Sequence, residues 1–245
     1  MLAEFINILF YFAALVVLSY LLDRMYSYSL ARWVYIVFAA PGIIVHELSH
    51  YVACKLTGAR VTRVRLISRT GGEVVHGKGK GGVFGQALIS MAPFFGIPIV
   101  LILLGLLFNF ALGCQISWEL STKGNVGVVV LNTLVASWEL IWKNLYEQGA
   151  YWFILYVYMA ASLTISLAPS KQDFRNSIWG LLAVFGITLV FIIIMESLPI
   201  DWPFYVLGFI IDTLGWVVVI GLISCLFGLL LGLPFFLVKY YRNRG

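Results

Sequence analysis

Apolar residues in this chain gather into long runs instead of alternating or recurring at a helical spacing. Runs of spanning length cover residues 5–22, 31–56, 84–112, 148–168, 176–196 and 204–238. A bilayer core about 30 Å thick is crossed by a helix of about 20 apolar residues, so each run predicts a transmembrane helix. A further stretch, 126–142, holds Asn132, Thr133, Ser137 and Glu139 and is bordered by Lys123 and Lys143. It reads as an amphipathic interfacial helix or a short re-entrant piece.

The sizeable polar interruption is 57–83. Val61, Val64, Leu66 and Ile67 lie in one β-prone run and Val74-Val75 in another, with Arg69-Thr70-Gly71-Gly72 between them. This predicts a β-hairpin, followed by a glycine-rich approach (Gly77 to Gly85) to the third helix. The expected fold is an all-α polytopic membrane protein with about six transmembrane helices and a small hairpin between the second and third. It reads as one membrane domain over 1–245.

Composition supports this class. Of the 245 residues, 62% are hydrophobic and 11% charged, with a mean hydropathy of +0.98. Soluble domains carry about 25% charged residues. The basic surplus, 16 Lys and Arg against 11 acids, flanks apolar spans and so points to no nucleic-acid partner. Cys54, Cys114 and Cys225 are odd in number and far apart, which implies no disulfide framework. The start, Met1-Leu2-Ala3-Glu4, lacks a basic n-region, so it reads as a retained anchor.

Charge orients the spans. With 126–142 not crossing, residues 55–83, 169–175 and 239–245 share one side and hold 12 of the 16 basic residues. The positive-inside bias then places both termini in the cytosol and the loop 113–147 outside.

Within the second span stands His46-Glu47-Leu48-Ser49-His50, an H-E-x-x-H motif. Residues four apart share a helix face, so both imidazoles can reach one metal ion. Glu47 would lie beside it, where a carboxylate can take a proton from polarised water. A catalytic zinc takes a third protein ligand and leaves a fourth position open. The motif lies in the cytosolic half of its span, whereas Glu119, Glu139, Glu147, Glu196, Asp201 and Asp212 fall on or near the outer side. Of the acids that leaves Glu4, Glu73 and Asp173, and Asp173, at the cytosolic start of the fifth span, is favoured.

Cys54 is the rival, four residues beyond His50 on the same face. However, three consecutive ligands on one straight helix surround an ion poorly. Glu73 lies in the hairpin, and His76 there is a possible assistant. Asp212, inside an apolar run, reads as an interfacial or helix-pairing acid. Pro41-Gly42, a turn before His46, would free backbone carbonyls or simply kink the helix.

These residues, with Ser90-Met91-Ala92-Pro93 and Ser166-Leu167-Ala168-Pro169 followed by Asp173, resemble the site-2 protease family of intramembrane zinc metalloproteases. The likeness covers about residues 33–195. Ser166 stands where that family usually has Asn, and Gln172-Asp173-Phe174 stands where it has L-D-G. No loop is long enough for the PDZ domain that many members carry.

The resemblance implies a metalloendopeptidase acting on membrane protein substrates in the lipid bilayer, with Zn²⁺ held by His46, His50 and Asp173 and with Glu47 as the base. Ser166, Val74 and Val75 are candidate substrate-binding positions, the hairpin edge pairing with an extended substrate. The glycine-rich 77–85 segment would gate water entry. The alternative is a non-proteolytic protein of this fold that keeps a structural metal site or binds membrane partners. No sequence feature sets the oligomeric state.

Overall fold

The structure, a computed structural model, describes residues 2–29, 32–68, 71–77, 80, 82–116, 126–167 and 232–243, with isolated positions between 173 and 229. Its elements are α1 (Leu2–Ser29), α2 (Arg32–Leu56), β1 (Val61–Arg65), β2 (Glu73–His76), α3 (Gly82–Leu112), α4 (Val126–Ile141) and α5 (Trp152–Ile165). A π-helical turn, Trp142–Glu147, continues α4, and the backbone at 232–242 is again helical. The chain is thus mostly helical with a two-stranded antiparallel hairpin after the second helix. Among the described residues, two helical stretches, Val34–Leu56 and Phe84–Leu112, are long and apolar enough to cross a membrane. Most of the expected spans 176–196 and 204–238, and Asp212 with them, lie outside the described residues.

Several boundaries differ from expectation for local reasons. The first helix runs on to Ser29 because Asp23, the first polar residue past the apolar run, finds a partner: the Tyr35 hydroxyl of α2 donates to its carboxylate. The fourth run starts late, at Trp152, because Gly149 adopts the left-handed region (φ 60°) and separates the π-helical turn from α5. In the hairpin, β1 ends at Arg65, so Leu66 and Ile67 form a bend and are exposed. The glycine-rich approach is shorter than expected, since α3 already begins at Gly82.

The core forms where α3 meets α5 and the end of α1. From α3 come Met91, Phe94, Ile97, Leu101, Leu104 and Phe108, three or four residues apart and therefore on one face. They pack with Phe153, Tyr156, Ala160 and Leu163 of α5 and Leu22 and Tyr26 of α1. Ser19, fully buried on α1, donates to the carbonyls of Thr164 and Ile165 at 2.7 and 3.1 Å and fixes the height of α1 against α5.

The α2–α5 contact follows from Pro41-Gly42. Pro41 has no N–H, so the Val37 carbonyl loses its partner within the helix. The Tyr158 hydroxyl of α5 donates to that carbonyl at 3.3 Å. The Gly42 N–H donates to the Ser162 hydroxyl at 3.0 Å, and a Cβ on Gly42 would stand 2.1 Å from the Ser162 carbonyl oxygen. A side chain there would part the helices. Pro41-Gly42 is therefore a docking surface, while α2 stays helical from Arg32 to Leu56. On its other face α2 meets α3 just as closely, a Cβ on Gly96 standing 2.1 Å from Ser49 Oγ.

Two observations bear on topology. The loop 113–147 is closed at its base: Asn144 Oδ1 accepts from the Gln115 N–H at 2.8 Å, and Asn144 Nδ2 donates to the Gln115 carbonyl at 3.1 Å. The ends of that segment therefore meet. The C-terminal stretch meets the Ser29 end of α1. Lys239 Nζ donates to the Tyr28 carbonyl and Asn243 Nδ2 to the Tyr28 hydroxyl at 2.9 Å. Tyr28 lies at the far end of α1 from Leu2, about 40 Å along a helix of 28 residues. The two described ends of the chain thus sit at opposite ends of α1, which would place them on opposite sides if α1 crosses the membrane.

Candidate metal centre

The H-E-x-x-H residues sit in the last three turns of α2, where the helix is gripped by α3, α5 and the hairpin. His50 is 7% exposed and His46 is half-buried. Each imidazole is oriented by a backbone carbonyl of a different neighbouring helix. His46 Nδ1 lies 2.7 Å from the Ser166 carbonyl, just past α5, and His50 Nδ1 lies 2.8 Å from the Ile89 carbonyl in α3. A carbonyl only accepts, so each Nδ1 carries the proton and donates it. In the neutral rings both Nε2 atoms are then bare lone pairs.

Those two lone pairs face each other, the Nε2 atoms standing 3.2 Å apart and the ring planes 72° apart. Two acceptors facing each other at this distance with no proton between them repel, and a cation between them turns repulsion into two bonds. Two nitrogens each about 2.0–2.1 Å from a tetrahedral zinc lie about 3.3 Å apart, close to the spacing found here.

Asp173 completes the group. Its Oδ2 stands 3.7 Å from His50 Nε2, and its side chain is 19% exposed. The ligand atoms of His46, His50 and Asp173 all lie within 4.8 Å of one another, so this group could hold a metal ion. A His/His/carboxylate set of three leaves one position open, which is the donor count of a catalytic zinc and not of a closed structural one.

Glu47 points toward the hairpin. Its carboxylate accepts a hydrogen bond from the Val74 N–H of β2 and is close enough to Asp173 and Glu73 for their charges to act on it. Gly72, at the foot of β2, makes this possible: a Cβ there would stand 2.2 Å from Glu47 Cγ. The hairpin therefore closes directly on the acid.

The other sequence candidates are placed elsewhere. Cys54 is fully buried in an apolar cluster with Ala53, Ala59 and Ile89, and it is not among the three metal-capable residues. Glu73 is exposed and pairs with Arg65 across the hairpin ladder. His76 turns its Nδ1 to the Gly77 carbonyl at 2.8 Å. Val74 packs its side chain against the Cys54 cluster, whereas Val75 is exposed. Ser166 uses its carbonyl, not its hydroxyl, at the metal centre, and its Oγ lies against Gly42. Sequence reasoning did not find the two carbonyls that orient the histidines, because a peptide oxygen has no residue type. Compared with known proteins, the chain matches no family model, no curated protein and no solved structure.

Proposed function

We propose that the chain is a multi-pass intramembrane zinc metalloendopeptidase of the site-2 protease type, hydrolysing peptide bonds of membrane protein substrates. The observation that carries the reading is the pair of bare Nε2 atoms 3.2 Å apart, with the Asp173 carboxylate beside them and Glu47 on the same helix. The basic residues around the hairpin, Lys55, Arg60, Arg63, Arg65 and Lys80, argue that this face meets the cytosol. About six spans would enclose the site, with α2 and α3 as two of them.

In this reading His46, His50 and Asp173 hold the zinc. The bound ion supplies a Lewis acid that polarises the scissile carbonyl and brings the attacking water's pKa to about 7. Glu47 takes the proton from that water and passes it to the leaving amine. The carbonyls of Ser166 and Ile89 fix both imidazoles in the tautomer that presents Nε2. The Val74 amide holds the Glu47 carboxylate in place.

A helical substrate hides its peptide bonds, so the cleaved segment must be extended. β2 offers it a partner: among the described residues it pairs with β1 along one edge only, and its Val74 N–H is directed away toward Glu47. An extended segment laid along that free edge would run past the acid and the metal. A purely structural metal site needs three or four ligands but no unligated carboxylate pinned next to them, and this favours the enzyme over the non-proteolytic alternative.

The test compares membrane proteomes of cells expressing the wild type and Glu47→Gln, with zinc measured in both purified proteins. We expect equal zinc and substrate fragments only with the wild type. Fragments that appear equally with both would remove the protease claim.

A further inference from the structure

The acceptor of the His50 N–H is a carbonyl that an ordinary helix would not leave available. Ile89 lies in the second turn of α3, where its carbonyl should accept the N–H of residue 93. Residue 93 is proline, with no N–H to give, and its ring crowds the carbonyl four residues back and turns it off the helix axis. That carbonyl lies 2.8 Å from His50 Nδ1. Ile89 is itself fully buried, so no water competes for the place.

We propose that Pro93 is a positioning residue of the metal centre: by emptying the Ile89 carbonyl it selects the His50 tautomer whose Nε2 is free to bind metal. The inference rests on the zinc reading above only for its consequence, since the tautomer itself requires no metal. Pro98, one turn and a half further along α3, is an internal control. It faces the Phe94 carbonyl four residues back, and neither His46 nor His50 turns its Nδ1 there.

In Pro93→Ala an N–H returns to the helix ladder and claims the Ile89 carbonyl. His50 then shares its acceptor, and the Nε2–H tautomer, which cannot bind metal, becomes populated. An outer partner that orients a metal-binding histidine is typically worth about 10- to 100-fold in metal affinity.

The experiment is nitrogen-15 NMR of histidine-labelled full-length protein in detergent, free of metal, beside a zinc titration of the same samples. Only three histidines contribute signals. In the wild type we expect His50 to carry its proton on Nδ1. In Pro93→Ala we expect a mixture of tautomers and a zinc dissociation constant about 10- to 100-fold higher. In Pro98→Ala we expect neither change.

A wild-type His50 protonated on Nε2 overturns the proposal without any variant, so a Pro93→Ala protein that fails to fold does not protect it. An unchanged tautomer and zinc affinity in Pro93→Ala, or an equal change in Pro98→Ala, also overturns it. A tautomer shift in a protein that binds no zinc supports the positioning role and sinks the metalloprotease reading instead.

Discussion

Gly72 lies so close to Glu47 that a methyl group on its Cα would stand 2.2 Å from the Glu47 Cγ and 2.9 Å from Oε1. Nothing about an isolated glycine in a hairpin announces this contact. Gly72→Ala should lift β2 from α2 or push the acid aside while leaving both histidines and Asp173 in place. A displacement of about 1 Å at a catalytic group costs about 100-fold in rate. We expect turnover to fall by that order with zinc content unchanged, measured on one purified sample. A Gly72→Ala protein that, on the proposed reading, turns over substrate as fast as wild type would mean that the hairpin does not set the position of Glu47.

Gly42→Ala acts on the scaffold. Its Cβ would meet the Ser166 hydroxyl at 2.3 Å, which can rotate away, and the backbone oxygen of Ser162 at 2.1 Å, which cannot, so α2 and α5 must separate. Overpacking of this kind costs typically 1–3 kcal/mol, or about 2–4 °C of melting temperature per kcal/mol in a chain of this size. Because Ser166 follows directly on α5, the same shift should draw its carbonyl from His46 and weaken zinc binding. A thermal melt and a zinc titration should therefore move together. A destabilised protein with full zinc affinity would refute that coupling.

The third ligand separates two candidates cleanly. Cys54 is sealed among Ala53, Ala59 and Ile89, so Cys54→Ala should leave zinc stoichiometry untouched. Asp173→Asn should lose zinc more severely than the roughly 10- to 100-fold expected for an outer partner. The opposite pattern in metal analysis of the two proteins would reassign the ligand to the thiol.

The position of Lys239 and Asn243 against Tyr28 carries a topological expectation. With α1 crossing the membrane, Ala3→Cys and Asn243→Cys should react with an impermeant thiol reagent from opposite sides of sealed vesicles, in a background lacking the native cysteines. Labelling of both from one side would restore the arrangement that the charges alone suggest.

How far the sequence carries depends on what kind of group does the work. The spacing of His46 and His50 sets a shared helix face, and the side of the membrane assigned to each acid narrows the third ligand to Glu4, Glu73 and the favoured Asp173. Both are properties of residue types and are legible in a string of letters. So was the hairpin, through its β-branched residues and glycines. The carbonyls of Ser166 and Ile89 were not, since they belong to the backbone. The roles of Gly42 and Gly72 were hidden because an absent side chain has meaning only once its neighbour is known. Val74 reads from the sequence as a substrate-binding position on the hairpin edge; its side chain packs against the Cys54 cluster and its amide reaches Glu47.

The two imidazoles are clasped from opposite flanks, His46 by the end of α5 and His50 by α3. A lateral gate made by parting α2 from either neighbour would break one of those bonds and spin a ring out of register with the metal. Lifting the hairpin disturbs neither histidine and lets go only of the Glu47 carboxylate. If the chain is the proposed protease, opening at the hairpin would idle the base while keeping both histidines in place, and opening between the helices would not. On that reading, a protein opened at the hairpin would hold its zinc and cut nothing.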